Sequence, residues 1–191
     1  MECISLSEKE STKITEKARA NFVSVNTLIQ GAWSLLLSAY FNAGNVVFGT
    51  SVSGRSNDFP NMDLLTGMFM NILPVSSIID QQCSLKEWLQ SFQKRQVECL
   101  QYEETTAIEI LSQLSKNKGG AMFDSLLVFE NFPWKDLKCG NVEISDYGSG
   151  VTSNYPISLI IVPETQMKFK FIFSTDQLEE KTKNWIISNW K

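Results

Sequence analysis

Along "SVNTLIQGAWSLLLSAYF", Ser24 to Phe41, apolar residues recur at Leu28, Ala32, Leu35, Leu36 and Ala39. That spacing draws one helical stripe, with Ser24 or Asn26 as its cap. The "NAG" that follows stops the helix, with Gly44 as the residue best suited to a left-handed turn. Val46 to Val52 then changes to the β-branched composition of a strand. Met62 to Val75 is an apolar run broken by Gly67 and Pro74, which fits a loop leading into a buried strand. Ser84 and Glu87 have capping-box spacing and open a helix with Leu85, Trp88, Leu89, Phe92, Cys99 and Leu100 near one face. A shorter helix is expected over Thr106 to Leu114, and Lys116 to Gly120 reads as a flexible connection. Strands are expected at Phe123 to Glu130, Val142 to Tyr147, Pro156 to Val162 and Met167 to Phe173. In the last, Met167, Phe169, Phe171 and Phe173 alternate with Lys168 and Lys170, the pattern of a sheet with one buried face. Asp176 and Glu179 open a final helix carrying Leu178, Trp185, Ile186 and Trp190. Helices and strands mixed in this irregular order predict an α/β (α+β) two-layer sandwich, a mixed sheet packed against helices.

Composition narrows the possibilities. A chain of 191 residues with 43% hydrophobic and 20% charged residues forms one folded domain, 1–191, with a sizeable core. A formal charge of -4 without a lysine or arginine cluster argues against nucleic acid as a partner. No apolar stretch is long enough to span a membrane, and the polar opening "MECISLSEKE" is unlike a signal peptide, so the expected location is the cytoplasm. Cys3, Cys83, Cys99 and Cys139 are scattered and expected to be reduced, with no metal site. The chain has no histidine, which removes the commonest general base and the Ser-His and Cys-His ways of activating a nucleophile.

Four stretches bear on function. "GTSVSGRSNDFP", Gly49 to Pro60, lacks both the ending of a phosphate loop and the pattern of a nucleophile elbow. Two readings remain for it: a strand ending in a close-packed turn, or the wall of a ligand channel with Arg55 fixing a carboxylate. Asn71 lies in an apolar strand, so its amide needs partners, on neighbouring backbone or on a substrate. In "LVFENFP", Glu130 and Asn131 serve either a turn or a channel rim. Tyr102, Glu103 and Glu104 read as a solvated helix end. Trp33, Trp88, Trp134, Trp185 and Trp190 are assigned to the core, as is Cys99.

Five segments in order carry a family resemblance: "TLIQGAWSLLLSAYFNAGNVVFGTSVSGRS", "LLTGMFMNILPV", "SLKEWLQSFQKRQVECLQYEETTAIEI", "MFDSLLVFENFP" and "NYPISLIIVP". Together they resemble the condensation domains of nonribosomal peptide synthetases over almost the whole chain. The resemblance implies a chloramphenicol acetyltransferase-like lobe, one of two joined in a V around a channel. There an acceptor amine on one carrier protein attacks a donor thioester on another, each carried on a phosphopantetheine arm. The family signature His-His-x-x-x-Asp-Gly belongs to the N-terminal lobe. A histidine-free chain therefore corresponds to the C-terminal lobe alone, with that catalytic lobe absent, no catalytic residue of its own and no activity in isolation.

By the same resemblance Ser51, Ser53, Gly54, Arg55, Asn71 and Asn131 line the substrate channel. The implied partners are the N-terminal lobe, peptidyl and aminoacyl carrier proteins and adjacent synthetase domains, with self-association expected of the lone lobe. No cofactor is expected on the chain itself. Where the family continues Asn-Thr-Leu-Pro-Val-Arg, this chain has Asn71 to Ser76 and lacks the arginine. The alternatives are a noncatalytic scaffold or carrier-protein interaction module, and a self-contained acyltransferase using Ser53 or a cysteine.

Overall fold

The computed structural model describes residues 1–55, 61, 64–106, 109–110, 112, 122–130, 138–139, 142–143, 153–174 and 176–190. Among the described residues the main elements, in chain order, are β1 (Glu2–Ser5), α1 (Glu8–Ala20), α2 (Val25–Phe41), β2 (Asn45–Val52), β3 (Asn71–Ile78), α3 (Leu85–Leu100), β4 (Ser125–Phe129), β5 (Lys138–Cys139), β6 (Val142–Glu143), β7 (Ile157–Val162), β8 (Lys168–Phe173) and α4 (Glu180–Trp190). Six strands form a mixed sheet in the order β1-β8-β7-β4-β2-β3, and β5 and β6 pair separately. The central β2, β4 and β7 are parallel, and antiparallel strands close both sides.

Register explains the core. Leu73, Thr50, Leu127, Leu159 and Phe171 sit opposite one another in a row across five strands, and all five are buried. Alternate residues of each strand point to the same face, so Phe48, Val75, Ile161 and Phe169 extend this apolar layer. Trp33, Leu36 and Leu37 of α2, Phe92 of α3 and Ile186 of α4 cover it. The opposite face is filled at Gly49, where an added Cβ would stand 2.3 Å from the Phe123 ring. That ring stacks on Tyr155 at 5.4 Å.

α3 begins as the sequence predicts, on the Ser84–Glu87 capping box, and buries Trp88, Leu89 and Phe92. Leu85, Cys99 and Leu100 are exposed instead, because only the middle of α3 crosses α2. Gly31 of α2 permits that crossing, since a Cβ there would meet Leu89 Cδ2 at 2.5 Å.

α2 differs from its predicted orientation. Its buried face carries Thr27, Ile29, Gln30, Trp33, Ser34, Leu36 and Leu37, whereas Ala32, Leu35 and Ala39 are exposed along a groove toward α1 and α4. Burial here includes hydrogen-bonded polar residues, which an apolar count overlooks. The helix ends at Asn42, in the left-handed region at φ 49°, and not at Gly44, because asparagine also tolerates that conformation.

β1 and α1 were not expected from the sequence. α4 begins at Glu180 and not at Asp176: residues 176–178 turn first, and the Glu179 carbonyl accepts from Lys183 N at 3.2 Å. The short helix after Thr106 is opened by Thr106 and Glu109, and Glu109, Ile110 and Ser112 are helical. Trp33 and Trp88 are buried, and Trp185 and Trp190 pack against the core. Trp134, the 116–120 connection and residues 144–147 lie outside the described residues.

Candidate functional site

Because β2, β4 and β7 are parallel, their carboxyl ends reach one edge of the sheet, where ligands gather in open α/β sheets. Val52 is paired there with Asn71, and Phe129 with Ile161. α2 runs back over β2, so its N-terminus, capped by Ser24, comes to the same edge. α3 ends there too. Asn71 Nδ2 donates to the carbonyls of Glu103 at 2.9 Å and Thr105 at 2.8 Å, and its Oδ1 accepts from Ile72 N. The Asn71 amide is therefore paired on backbone, tying the start of β3 to the end of α3.

A cavity of about 500 Å³ opens between α2, α3 and the ends of β2 and β3. Ser51, Ser53 and Arg55 line it, so three of the predicted channel residues converge. Gly54 between them is buried at φ +62°. Arg55 Nη1 donates to the Leu65 carbonyl at 3.1 Å, Nη2 approaches the Gly67 carbonyl at 3.5 Å, and the guanidinium lies 4.7 Å from the centre of the Phe69 ring. These contacts fasten the following loop to the end of β2. Asn131 lies outside the described residues. Its neighbour Glu130 is at the same edge, donating N–H to Ile161 O at 2.8 Å, with Oε2 buried and without a partner among the described residues. Tyr102 and Glu104 are exposed in a turn after α3, in keeping with a solvated helix end, whereas Glu103 is half-buried and lines the cavity.

One wall of the cavity was not foreseen. Thr27 Oγ1 donates toward Gln93 Oε1 and Gln96 Oε1, at 3.2 and 2.9 Å, and Gln96 Nε2 donates to Gln30 Oε1. Gln30 Nε2 in turn donates to Asn26 Oδ1 at 3.0 Å and Thr50 Oγ1 at 3.2 Å. This ladder joins α3, α2 and β2. Thr27, Gln30 and Thr50 are all buried. The available signal was two glutamines, Gln93 and Gln96, three residues apart on a helix opposite Thr27 and Gln30, but only the tertiary structure brings the pairs together. Arg95 completes this side, with Nη1 on Ser91 Oγ at 3.1 Å and Nη2 buried without a partner among the described residues.

Beyond Ser24, Asn26 and Ser51 a second cavity of about 700 Å³ reaches Thr12, Thr15, Phe129 and Glu164. The two hollows thus flank the N-terminus of α2. No group of histidine, cysteine, aspartate or glutamate side chains able to hold a metal occurs among the described residues.

The family described as "Condensation domain" matches residues 2–191. One component of the linear gramicidin synthase of Brevibacillus parabrevis is 33% identical over 186 residues, 96% of this chain and 4% of that protein. Another component of the same synthase is 36% identical, over 92% of this chain and 4% of that protein. This chain therefore spans only a small part of these relatives. Among solved structures, a four-domain nonribosomal peptide synthetase bound to AMP and glycine superposes with a TM-score of 0.81 at 16% identity, covering 97% of this chain and 16% of that one. The first condensation domain of the calcium-dependent antibiotic synthetase, with a substrate analogue, gives 0.75 at 14% identity, over 98% of this chain and 42% of that one. These similarities, and the match along almost all of its length, show that the chain belongs to the condensation-domain family.

Proposed function

We propose that the chain acts as the C-terminal lobe of a nonribosomal peptide synthetase condensation domain and walls the channel in which an amide bond forms. The acceptor amine attacks the donor thioester carbonyl, the C–S bond breaks, the phosphopantetheine thiol leaves, and the amine proton ends on that thiol. The observation that carries this reading is the convergence of Ser51, Ser53 and Arg55 on one open cavity at the carboxyl edge of the parallel strands. Two facts support it. The chain covers about two fifths of a solved condensation-domain chain, and it has no histidine to act as base. A second lobe supplies the base, while this one contributes positioning, which converts an encounter of two carriers into a local reaction. Small side chains at Ser51 and Ser53 leave room for a phosphopantetheine arm.

The test is a completed two-lobe domain with loaded carrier proteins, read by mass spectrometry for the condensed product. Ser53→Trp places a bulky ring on an exposed residue of the cavity and should cut turnover at least about tenfold, equivalent to 1.4 kcal/mol of barrier, while the denaturation midpoint stays put. Undiminished turnover would remove the channel assignment, and product from this chain without a second lobe would remove the lobe assignment.

A further inference from the structure

We propose that the cavity between α2 and α3 receives a carbonyl or carboxylate oxygen of the carrier-borne substrate, held by the Thr50 hydroxyl and the Arg95 guanidinium. This rests on the channel reading above and names the chemistry that its wall selects. Thr50 is only 8% exposed. Its oxygen accepts from Gln30 Nε2, yet its own proton meets no acceptor among the described residues. A hydroxyl proton so nearly buried, on a cavity wall, lacks a partner that an incoming oxygen would supply.

Four further features point the same way. Asn26 lines the cavity with its amide carbonyl accepting from Gln30, so that what its side chain has left to offer is N–H. Ser51 adds a hydroxyl to the same wall. Arg95 lines the cavity, its Nη2 has no acceptor among the described residues, and a buried donor without an acceptor is costly. The N-terminus of the 17-residue α2 also opens at this wall and contributes the positive end of its dipole. Against these donors the lining contains one carboxylate, Glu103. The lining also includes the apolar Leu73, Val75, Phe92 and Leu100, which suit the hydrocarbon part of a substrate. Donors and hydrocarbon lining one cavity favour an oxygen-bearing, partly apolar group and disfavour a cation.

The oxygen has two sources, a peptide or pantetheine carbonyl and an acidic side chain, and two probes separate them. N-acetylglycine carries a carboxylate, and N-acetylglycine methylamide carries carbonyls alone. Both are titrated into the 191-residue chain, with n-propylammonium as the cationic comparison, and binding is read by ligand-observed NMR. Millimolar binding of at least one oxygen-bearing probe is expected, weakened about three- to tenfold in Thr50→Val, the loss of one hydrogen bond. Thr50→Ser should restore it, and circular dichroism checks the fold of each variant. If only N-acetylglycine binds and Arg95→Gln weakens it, the site takes a carboxylate; if the methylamide binds as well and Arg95→Gln weakens both, it takes a carbonyl; binding indifferent to Arg95→Gln overturns the part given to the guanidinium.

Absence of binding by both oxygen-bearing probes, binding unchanged in Thr50→Val, or equal binding of n-propylammonium overturns the proposal. The last outcome needs no variant at all. Probe binding together with a completed domain that forms no product would defeat the proposed function and leave the cavity's selectivity standing. Product formation without probe binding would do the reverse.

Discussion

Gly54 shows how narrowly one position can be determined. Its φ of +62° is in the region L side chains avoid, and a Cβ added there would lie 1.8 Å from the Phe69 carbonyl oxygen. Backbone cannot swing aside as a flexible side chain could. Gly54→Ala should therefore cost at least about 2 kcal/mol, combining left-handed strain with the displaced 69 carbonyl. Gly44 provides the contrast, with nothing within 4 Å of an added Cβ and no positive φ. Gly44→Ala should be neutral or stabilise by about 0.4–1 kcal/mol by restricting the unfolded chain. Urea midpoints of the two variants check this, and equal shifts would show that the Gly54 turn is not held as described. The small-residue run around Gly54 was legible in the sequence as a close-packed turn. What the sequence withheld was the atom that demands the glycine, the carbonyl oxygen of Phe69 in the next segment of chain.

The helices divide by how local their determinants are. α1 and α3 each start on a complete capping box, Ser7 with Glu10 and Ser84 with Glu87. Thr106 and Glu109 repeat the arrangement. α3 was legible because its cap and its apolar stripe agree within one stretch of chain. α1 was not, since it buries only Ser11 and Ala18, and the strand before it, β1, pairs with β8 from the far end of the sequence. α2 was found, but its buried face was misassigned, because Thr27 and Gln30 spend their polarity on partners in other elements and Ser34 on the Gln30 carbonyl of its own helix, none of which an apolar stripe counts.

The caps also set an acid limit. Hydrogen bonds from the side chain and then the backbone of Ser7 and Ser84 hold the carboxyls of Glu10 and Glu87 below their ordinary value of 4.5. At Glu109 the backbone of Thr106 contributes most, followed by its hydroxyl. A carboxylate with a depressed folded pKa adds stability above its unfolded value and loses it as pH falls through the folded one. Their contribution should therefore be constant near neutrality and fall away below about pH 4.5, with the helical circular dichroism signal following. Replacing all three glutamates by glutamine should flatten that part of the acid profile. A profile as steep as the parent's would assign the acid sensitivity to other carboxylates.

For the molecule as a whole, the described surface is unevenly covered. Leu64 is 75% exposed and Met68 88%, with Leu65 and Met70 also exposed on the same loop. Arg55 ties this loop to the cavity edge. An apolar cluster beside a candidate channel is what a second lobe would cover, and uncovered patches of this kind promote association. This is also where reading the sequence reached its limit: the segments around 24–55 and 71–105 are recognisable separately, but the cavity wall exists only once α2, α3 and β2 are side by side.

The apparent mass of the chain alone should accordingly rise with concentration in light scattering. Leu64→Lys with Met68→Lys should return it toward the monomer, since both side chains already face solvent and their replacement removes no core contact. Adding a matching N-terminal lobe should do the same without any substitution. A parent chain that stays monomeric at high concentration would mean that the loop covers its own apolar side chains. An association unchanged by the double variant would move the contact elsewhere, with the groove between α1, α2 and α4 as the next surface to test through Leu35→Lys.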